Sequence, residues 1–366
     1  MNMSPQLKQL VEYLKANNLS FAYISQPQSI AYLTQFESDP HERVLGLAVF
    51  PESNPFLFTP GLDAQDARDS GWTYDIYSYQ DHENPWQIIA DQIKERANVD
   101  NGAFEKDHLT VKRYEQLKEV GIGEGADLTS VMQNMMVAKT EDELEKMKIA
   151  GEWADKAIKV GFASLKEGIT ETEVVAEIEY QLKKLGNEGM SFTTIVLFGD
   201  HAASPHGVPG DRKLQKNEFV LFDLGCVYKG YTSDTSRTVA FGQPNQKARE
   251  IYDVVLQAQL KATEAVRPGV TAGEIDRVAR TVIEEAGYGE YFTHRLGHGI
   301  GKSIHEFPDI MEGNDLILEE GMCFSIEPGI YIPNVVGVRI EDCIFVTKDG
   351  SEPFTHVPKE YTELSV

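Results

Sequence analysis

The chain has little of several features that would place it in other classes of protein. It has three cysteines in 366 residues, and no two of them are spaced as a CxxC pair. A disulfide framework and a structural zinc site of that kind are therefore excluded. Basic residues are also scarce, with 34 lysines and arginines against 58 aspartates and glutamates, which gives a formal net charge of -24. Such a charge argues against nucleic acid or an anionic membrane surface as a partner.

No long apolar run occurs near the N-terminus, which argues against a secretion signal or a membrane anchor. Instead, Leu7, Leu10 and Leu14 recur at helical spacing, and Ser4 followed by Pro5 is typical of the start of a helix. The scarcity of cysteine and the lack of an apolar leader together predict a cytoplasmic protein.

The length of the chain, 366 residues, exceeds the usual span of one hydrophobic core, so we expect two domains. In the first third, short apolar strands such as Phe21–Ile24 alternate with helical patterns. A capping box formed by Thr140 and Glu143 then begins a long amphipathic helix. These patterns predict an α/β (α+β) protein with domains at residues 1–132 and 133–366.

The second domain contains an internal repeat. GITETEVVAEIEYQLKKLG and GVTAGEIDRVARTVIEEAG, which begin at Gly168 and Gly269, have the same length and share terminal glycines. Each predicts a capped helix that ends at glycine. Further along, LQKNEFVLFDLG aligns without gaps with LEEGMCFSIEPG, which places Asp223 opposite Glu327. The similar offset in both places predicts a duplication with approximate twofold symmetry.

Two predicted hairpins of the repeat carry acidic residues within otherwise apolar strands. If the KG dipeptide in LFDLGCVYKGYTSDTSRTV forms a two-residue turn, paired residues have numbers that sum to 459. Asp223 then faces Ser236, and Asp234 lies diagonal to Asp223 on the same face of the hairpin. The corresponding hairpin of the second repeat carries Glu327 on one arm and Glu341 on the other.

Four carboxylates in the interior of a sheet require a compensating positive charge, because even one buried unpaired charge is strongly unfavourable. Arg237 and Arg339 offer ion pairing as one solution, although two guanidinium groups do not balance four carboxylates. Two divalent cations would balance them, and His298 within Gly-His-Gly offers an imidazole ligand. An oxygen-rich set without thiolate suits manganese, cobalt or a catalytic pair of zinc ions.

In these motifs the chain resembles the pita-bread metallopeptidases, the family of methionine aminopeptidase, aminopeptidase P and prolidase. The motifs are DLG, SDTSRT, GHGIG, EPG and RIED, in that order along the second domain. The resemblance implies that Asp223 chelates one metal ion, while His298 and Glu327 bind the other. Asp234 and Glu341 would bridge the two ions.

The resemblance also implies an architecture and an activity. It predicts an N-terminal creatinase-like α/β domain, a pita-bread catalytic domain with an internal pseudo-twofold duplication, two divalent metal ions with manganese as the first choice, and a homodimer. A preceding domain of this size is typical of prolidases and aminopeptidases P. The predicted reaction is therefore hydrolysis of the Xaa-Pro imide bond of dipeptides by a water molecule that bridges the two ions.

Two alternatives to the dipeptidase remain at this stage. An Xaa-Pro aminopeptidase, which acts on longer peptides, is the rival enzyme. A metal-free peptide-binding or protein-binding module on the same scaffold belongs to another class of protein. Non-hydrolytic relatives tend to lose the metal ligands, whereas all five ligand motifs are present in this chain.

Further catalytic roles follow from the resemblance. Glu327 would also act as the general base. His206 and His305 would contact the substrate and assist the oxyanion or proton transfer, with a structural role as the alternative for each. Arg339, two residues before Glu341 on the same strand face, would orient the ligand carboxylates.

Three residues are candidates for substrate binding, and one segment is a candidate lid. His294 would line the proline pocket, and Phe192 would form part of its wall. Arg295 would pair with the C-terminal carboxylate of a dipeptide, since a guanidinium group matches carboxylate geometry. The segment DPHER, residues 39–43, is most simply a solvated loop, but it resembles a prolidase segment that reaches the active site of a partner subunit.

Overall fold

The computed structural model describes residues 3–365, which form two compact units that divide after Met136. The sequence placed the domain boundary after residue 132. The division falls later because the helix Thr129–Met136 buries Met132 and Met135 in the hydrophobic core of the first unit. No helix within residues 3–365 is both long enough and apolar enough to cross a membrane.

The first unit is built on one six-stranded mixed sheet with the strand order β4-β3-β2-β1-β5-β6. Its strands are β1 (Phe21–Ile24), β2 (Gly46–Val49), β3 (Phe56–Pro60), β4 (Asp75–Tyr79), β5 (Gly102–Phe104) and β6 (Gly125–Asp127). Its helices are α1 (Pro5–Ala16), α2 (Pro27–Thr34), α3 (Ala64–Asp69), α4 (Pro85–Lys94), α5 (Val111–Glu119) and α6 (Thr129–Met136).

Both faces of this sheet are covered by helices. In β1, Ala22 and Ile24 belong to the same core cluster as residues of α1, α2 and α6, whereas Phe21 and Tyr23 belong to the cluster that contains α4 and α5. This alternation follows from the two-residue period of a strand. The predicted start of α1 is confirmed, because the Ser4 side chain accepts a hydrogen bond of 3.2 Å from the backbone N–H of Leu7.

The second unit contains four long helices and two main sheets. The helices are α7 (Glu141–Ser164), α8 (Glu171–Lys184), α9 (Gln246–Ala265) and α10 (Ala272–Glu285). The strands of its first half are β7 (Gly189–Met190), β8 (Ile195–Phe198), β9 (Glu218–Leu224), β10 (Cys226–Tyr228), β11 (Tyr231–Thr232) and β12 (Thr235–Phe241). The remaining strands are β13 (Gly297–Gly299), β14 (Glu306–Ile310), β15 (Cys323–Ile326), β16 (Gly329–Ile332), β17 (Val336–Arg339), β18 (Asp342–Val346), β19 (Ser351–Pro353) and β20 (Glu363–Leu364).

The two halves of the second unit repeat one arrangement, as the sequence predicted. Helices α7 and α8 share a core cluster with β8, β9 and β12, and helices α9 and α10 share one with β15 and β18. Both α8 and α10 begin at a threonine capping box. Both are followed by a glycine in the left-handed region, Gly186 with φ of 96° and Gly287 with φ of 84°, which terminates the helix. The predicted α/β architecture of the first domain and the internal duplication of the second are therefore both present.

The predicted register of the first hairpin is confirmed. Tyr228 pairs with Tyr231, and Asp223 pairs with Ser236. At the turn, Lys229 and its following glycine both have positive φ values, 47° and 71°. A two-residue hairpin turn of type I′, which matches the twist of the strands, requires positive φ at both central residues. The turn therefore fixes the register of the hairpin, and the register determines which face each aspartate occupies.

Candidate metal centre

Three of the four predicted carboxylates, those of Asp234, Glu327 and Glu341, lie at breaks between strands. Asp234 lies between β11 and β12, whereas Asp223 lies within β9. In the second hairpin, Ile326 pairs with Asp342 and Gly329 pairs with Arg339, in one continuous register. Glu327 and Glu341 therefore lie opposite each other, between the two paired stretches.

A direct contact between the two hairpins holds the acidic residues at one place. The backbone N–H of Glu341 donates to the carbonyl oxygen of Ser236 at 3.0 Å, and the Ser236 hydroxyl donates to Oε2 of Glu341 at 2.7 Å. Because Ser236 pairs with Asp223 and lies two residues after Asp234, this contact brings the acidic residues of both repeats to one region.

Four of the five predicted metal ligands form a tight cluster. Asp234, His298 and Glu341 each offer one ligand atom, and these three atoms lie within 4.8 Å of one another. Nε2 of His298 also lies 3.6 Å from Oδ2 of Asp234 and 3.4 Å from Oε1 of Glu327. The fifth residue, Asp223, lines the same cavity of about 640 Å³ as the other four.

Three carboxylates of the site each have a buried oxygen atom without a hydrogen-bond partner. Such atoms are Oδ1 of Asp223, Oδ1 of Asp234 and Oε1 of Glu341. An unsatisfied buried carboxylate oxygen is costly, and it is uncommon in native proteins. Divalent cations that prefer oxygen and imidazole ligands match this set, which contains no thiolate. The residues present therefore fit a divalent metal centre.

Crowding of like charges changes the protonation of the cluster. Burial, followed by the neighbouring carboxylates, raises the pKa of Asp234 and of Glu341 well above the usual range. Burial also raises the pKa of Glu327 to about 7, with Asp223 adding to the effect and Arg339 opposing it. Such a set of acids suits a divalent cation, since a bound positive charge would favour their charged forms.

His298 is suited to act as a neutral ligand. Burial and the nearby His305 lower the pKa of His298 to about 3, so its imidazole is uncharged near neutral pH. Nδ1 lies 3.1 Å from the carbonyl oxygen of Gly299, which can accept a hydrogen bond from it. That hydrogen bond leaves the lone pair on Nε2, the atom that lies beside Asp234 and Glu327.

The two arginines considered as ion-pair partners do not neutralise the cluster. Arg339 donates to one of the four carboxylates, that of Asp223, at 2.5 Å. Arg237 instead pairs with Asp342 at 2.6 Å, and both of these side chains are buried. Ion pairing therefore accounts for one of the four carboxylates, and a cationic partner is still required for the others.

Arg339 connects the cluster to the predicted substrate residues. Its Nε donates to the Ser236 hydroxyl at 2.8 Å, and its Nη1 donates to the Tyr331 hydroxyl at 2.9 Å. The Tyr331 hydroxyl lies 3.0 Å from Nε2 of His294, whose Nδ1 lies 2.7 Å from the carbonyl oxygen of Arg295. Burial lowers the pKa of His294 to about 4, so this ring is also neutral.

Sequence reasoning missed Tyr331, which joins Arg339 to His294. The only local signal was its place two residues after the EPG motif in a buried strand. A buried tyrosine hydroxyl usually finds a polar partner, but the sequence does not say which one. The partners lie on a different strand and on the loop before β13, so they became identifiable only from the fold.

The remaining predicted residues also line the cavity. These are Phe192, His206, His294, Arg295, His305 and Arg339. The ring of His305 lies edge-on to that of His298, with 4.2 Å between the ring centroids. Arg295 forms an ion pair with Asp309, a residue that the sequence analysis did not identify. The fold thus brings every predicted site residue to one cavity.

Comparison with known proteins agrees with the architecture. Residues 145–348 match the model of metallopeptidase family M24, and residues 6–136 match the Creatinase/Prolidase N-terminal domain. The chain is 50% identical over 360 residues to an Xaa-Pro dipeptidase of Lactobacillus helveticus, with 97% of each chain covered.

Solved structures of similar proteins have the same fold. A prolidase from Pyrococcus horikoshii has 35% identity and a TM-score of 0.90, with 98% of this chain and 99% of that chain covered. An Xaa-Pro dipeptidase from Bacillus anthracis has 34% identity and a TM-score of 0.91, with the same coverage. The chain belongs to metallopeptidase family M24, a family whose members use divalent metal ions, and it carries a creatinase/prolidase N-terminal domain.

Proposed function

We propose that this chain is an Xaa-Pro dipeptidase, a metal-dependent hydrolase that cleaves the imide bond of Xaa-Pro dipeptides. The observation that carries the proposal is the cluster of Asp234, His298 and Glu341 within a cavity that also contains three further histidines. The names of the L. helveticus and B. anthracis relatives support the substrate class.

Five residues would hold two divalent ions: Asp223, Asp234, His298, Glu327 and Glu341. Manganese is the first choice, with cobalt and zinc as the other candidates, because the ligand atoms are carboxylate oxygens and one imidazole nitrogen. When bound, such ions supply Lewis-acid polarisation of the scissile carbonyl group and activation of water.

The protein's own groups would move the protons. Glu327 would take the proton of the attacking water, because its carboxylate lines the cavity beside the other candidate ligands. Nearby, His305 and His206 line the cavity and would stabilise the developing oxyanion or pass a proton to the leaving nitrogen. Arg339 would fix the orientation of Asp223 through its 2.5 Å hydrogen bond.

The cavity wall suits a proline residue. An Xaa-Pro bond has no N–H to donate, so the site needs no acceptor at that position. Both ring nitrogens of His294 already have partners, the Tyr331 hydroxyl and the Arg295 carbonyl oxygen. His294 would therefore offer the edge of its ring as an apolar wall for the pyrrolidine, with Phe192 as a second wall.

Arg295 would bind the C-terminal carboxylate of the dipeptide and so favour substrates of two residues. Its guanidinium group lines the cavity and is half-buried beside Asp309. A substrate carboxylate would share the guanidinium group with Asp309, and a longer peptide would lack the carboxylate at this position. The preference for dipeptides over longer peptides thus depends on Arg295.

We further propose a cytoplasmic homodimer in which residues 39–43 serve as a lid. Asp39 and His41 have side chains that are 81% and 73% exposed in this unit, which suits a segment that contacts another subunit. Arg43 forms two hydrogen bonds to Asp81, of 2.9 Å and 3.0 Å. These bonds would anchor one end of the loop while Asp39 and His41 reach outward.

A comparison of two peptides tests the proposed activity. The manganese-loaded enzyme should hydrolyse Ala-Pro with a higher kcat/KM than Ala-Pro-Ala. A clear preference for Ala-Pro-Ala would identify an Xaa-Pro aminopeptidase instead. If neither peptide is cleaved with manganese, cobalt or zinc, and the protein purifies without stoichiometric metal, a peptide-binding or protein-binding module would replace the enzyme.

A further inference from the structure

The turn that carries His305 is held from outside by a largely buried ion pair. Residues 301–306, here called the His305 turn, connect β13 to β14. Nζ of Lys139 lies 2.8 Å from Oε2 of Glu306, and the side chains of these two residues are only 3% and 11% exposed. Lys139 lies 167 residues away in the chain, just before the start of α7.

Glu306 also braces the turn from within. Its second oxygen, Oε1, accepts a hydrogen bond of 2.8 Å from the backbone N–H of Ser303. The backbone N–H of Lys139 donates at 2.8 Å to the carbonyl oxygen of Gly321, just before β15. Lys139 is therefore fixed at its backbone as well as at its ammonium group. Glu306 contacts that ammonium group with one oxygen and the backbone of the turn with the other, so it connects the turn to Lys139.

Gly301 lets the ion pair pack directly against the backbone of the turn. A Cβ atom at Gly301 would lie 2.6 Å from Oε2 of Glu306 and 2.8 Å from Cε of Lys139. On its other side, the Gly301 carbonyl oxygen accepts hydrogen bonds from the backbone N–H and the hydroxyl of Thr232, at 2.8 Å and 2.9 Å. Since Thr232 lies two residues before Asp234, the turn is also tied to the first acidic hairpin.

Stability alone does not explain a buried lysine and glutamate. Removing two charges from water is unfavourable, and replacing a buried ion pair with apolar residues is often neutral or stabilising. A geometric role explains the pair better, since the turn places the His305 ring 4.2 Å from the His298 ring. We propose that Lys139 and Glu306 are a positioning pair that sets His305 against the acidic cluster. The proposal rests on the proposed function only in giving His305 a task in the reaction.

The double variant Lys139→Met/Glu306→Leu tests this role by removing both charges of the pair together. It should fold with the thermal stability and metal content of the wild type. Its kcat on Ala-Pro should fall by roughly 10- to 100-fold, as expected for a misplaced catalytic group, while KM changes by less than about twofold. The single variant Lys139→Arg, which keeps the positive charge beside Glu306, should lose less kcat than the double variant. Lys118→Met is the matched control, because Lys118 forms an exposed ion pair with Glu124 in the first unit.

Hydrogen exchange gives a readout that does not depend on activity. In Lys139→Met/Glu306→Leu, the amide of Ser303 should exchange faster because its acceptor has been removed, and the amide of Thr232 should follow. Exchange in α8 should remain as in the wild type. Wild-type kcat in a folded double variant, or unchanged exchange in residues 301–306, would overturn the positioning role. The wild type could fail to cleave Ala-Pro while exchange in residues 301–306 is still faster in the double variant. The proposed function would then be wrong, and the effect of the Lys139–Glu306 pair on the His305 turn would be confirmed.

Discussion

Arg339 donates a hydrogen bond of 2.5 Å from Nη2 to Oδ2 of Asp223, while Oδ1 of Asp223 has no hydrogen-bond partner. One oxygen of this carboxylate is thus held by the protein, and the other is available to the proposed cation. The same guanidinium group bonds Ser236 and Tyr331. Arg339 is therefore the residue through which the acidic cluster and the predicted proline pocket are oriented together.

Replacing Arg339 with methionine should destabilise the metal-free protein by about 3 kcal/mol, because it leaves Asp223 as a buried charge without its partner. Manganese should raise the melting temperature of Arg339→Met more than that of the wild type, since the added cation supplies the missing positive charge. Thermal unfolding with and without manganese measures both effects. Arg249→Met, at an exposed ion pair with Asp253, is the control. An unchanged melting temperature for metal-free Arg339→Met would contradict this account.

His298→Ala should remove one of the two bound ions and abolish turnover, because no other imidazole belongs to the cluster of Asp234 and Glu341 among the described residues. Metal analysis after dialysis and the rate of Ala-Pro cleavage measure these outcomes. His82→Ala, at an exposed position of the first unit, should change neither. Full turnover by His298→Ala at saturating manganese would remove His298 from the site.

Arg295→Met should raise KM for Ala-Pro by roughly 10-fold, as expected from the loss of a charge-assisted hydrogen bond. The effect on Ala-Pro-Ala should be smaller, because the carboxyl group of its proline is part of an amide bond and carries no charge. Asp309→Asn should have the opposite effect on Ala-Pro, since it frees the guanidinium group from its present ion pair. Steady-state kinetics on both peptides measures these changes. Equal losses on the two peptides for Arg295→Met would argue against the carboxylate clamp.

A buried acid in the first unit should give the stability a measurable pH dependence. Burial raises the pKa of Glu105 from 4.5 to about 7, although its Oε2 accepts hydrogen bonds from the backbone N–H groups of Ser25 and Gln26 at 3.0 Å each. A raised folded-state pKa means that the folded protein binds the proton more tightly. The stabilisation is fully present below pH 4.5 and is lost as the pH rises to about 7.

Glu105→Gln removes this titration while keeping an oxygen acceptor. The variant should match the wild type near pH 4 and exceed it by up to about 3 kcal/mol near pH 8, from the size of the pKa change. Urea unfolding of both proteins at the two pH values measures the difference, and other titrating groups cancel in the comparison. A wild type that is at least as stable as Glu105→Gln near pH 8 would contradict the prediction.

Local rules made part of this fold predictable from the sequence. The KG turn fixed the register that pairs Asp223 with Ser236, and the threonine capping boxes fixed the starts of α7, α8 and α10. By contrast, β5 and β6 have three residues each, too short for a recognisable alternation. They could not be recognised as strands from the sequence.

Contacts between distant parts of the chain were not predictable in this way. Lys139 and Glu306 lie 167 residues apart. The sequence around each residue does not indicate that the two form an ion pair. Tyr331 reaches His294, and Asp309 reaches Arg295, only because their strands meet the loop before β13. The candidate ligands could be found because each lies in a distinct motif, whereas the residues that orient them follow from tertiary packing.

The central claim is that four carboxylates and one imidazole converge on two divalent ions. Anomalous diffraction from manganese-loaded crystals tests it most directly, with data on both sides of the manganese absorption edge. The account predicts two peaks within the cavity, both bounded by Asp234 and Glu341, with Asp223 at one and His298 and Glu327 at the other. An anomalous map without peaks among these side chains, in crystals of protein that cleaves Ala-Pro, would contradict it.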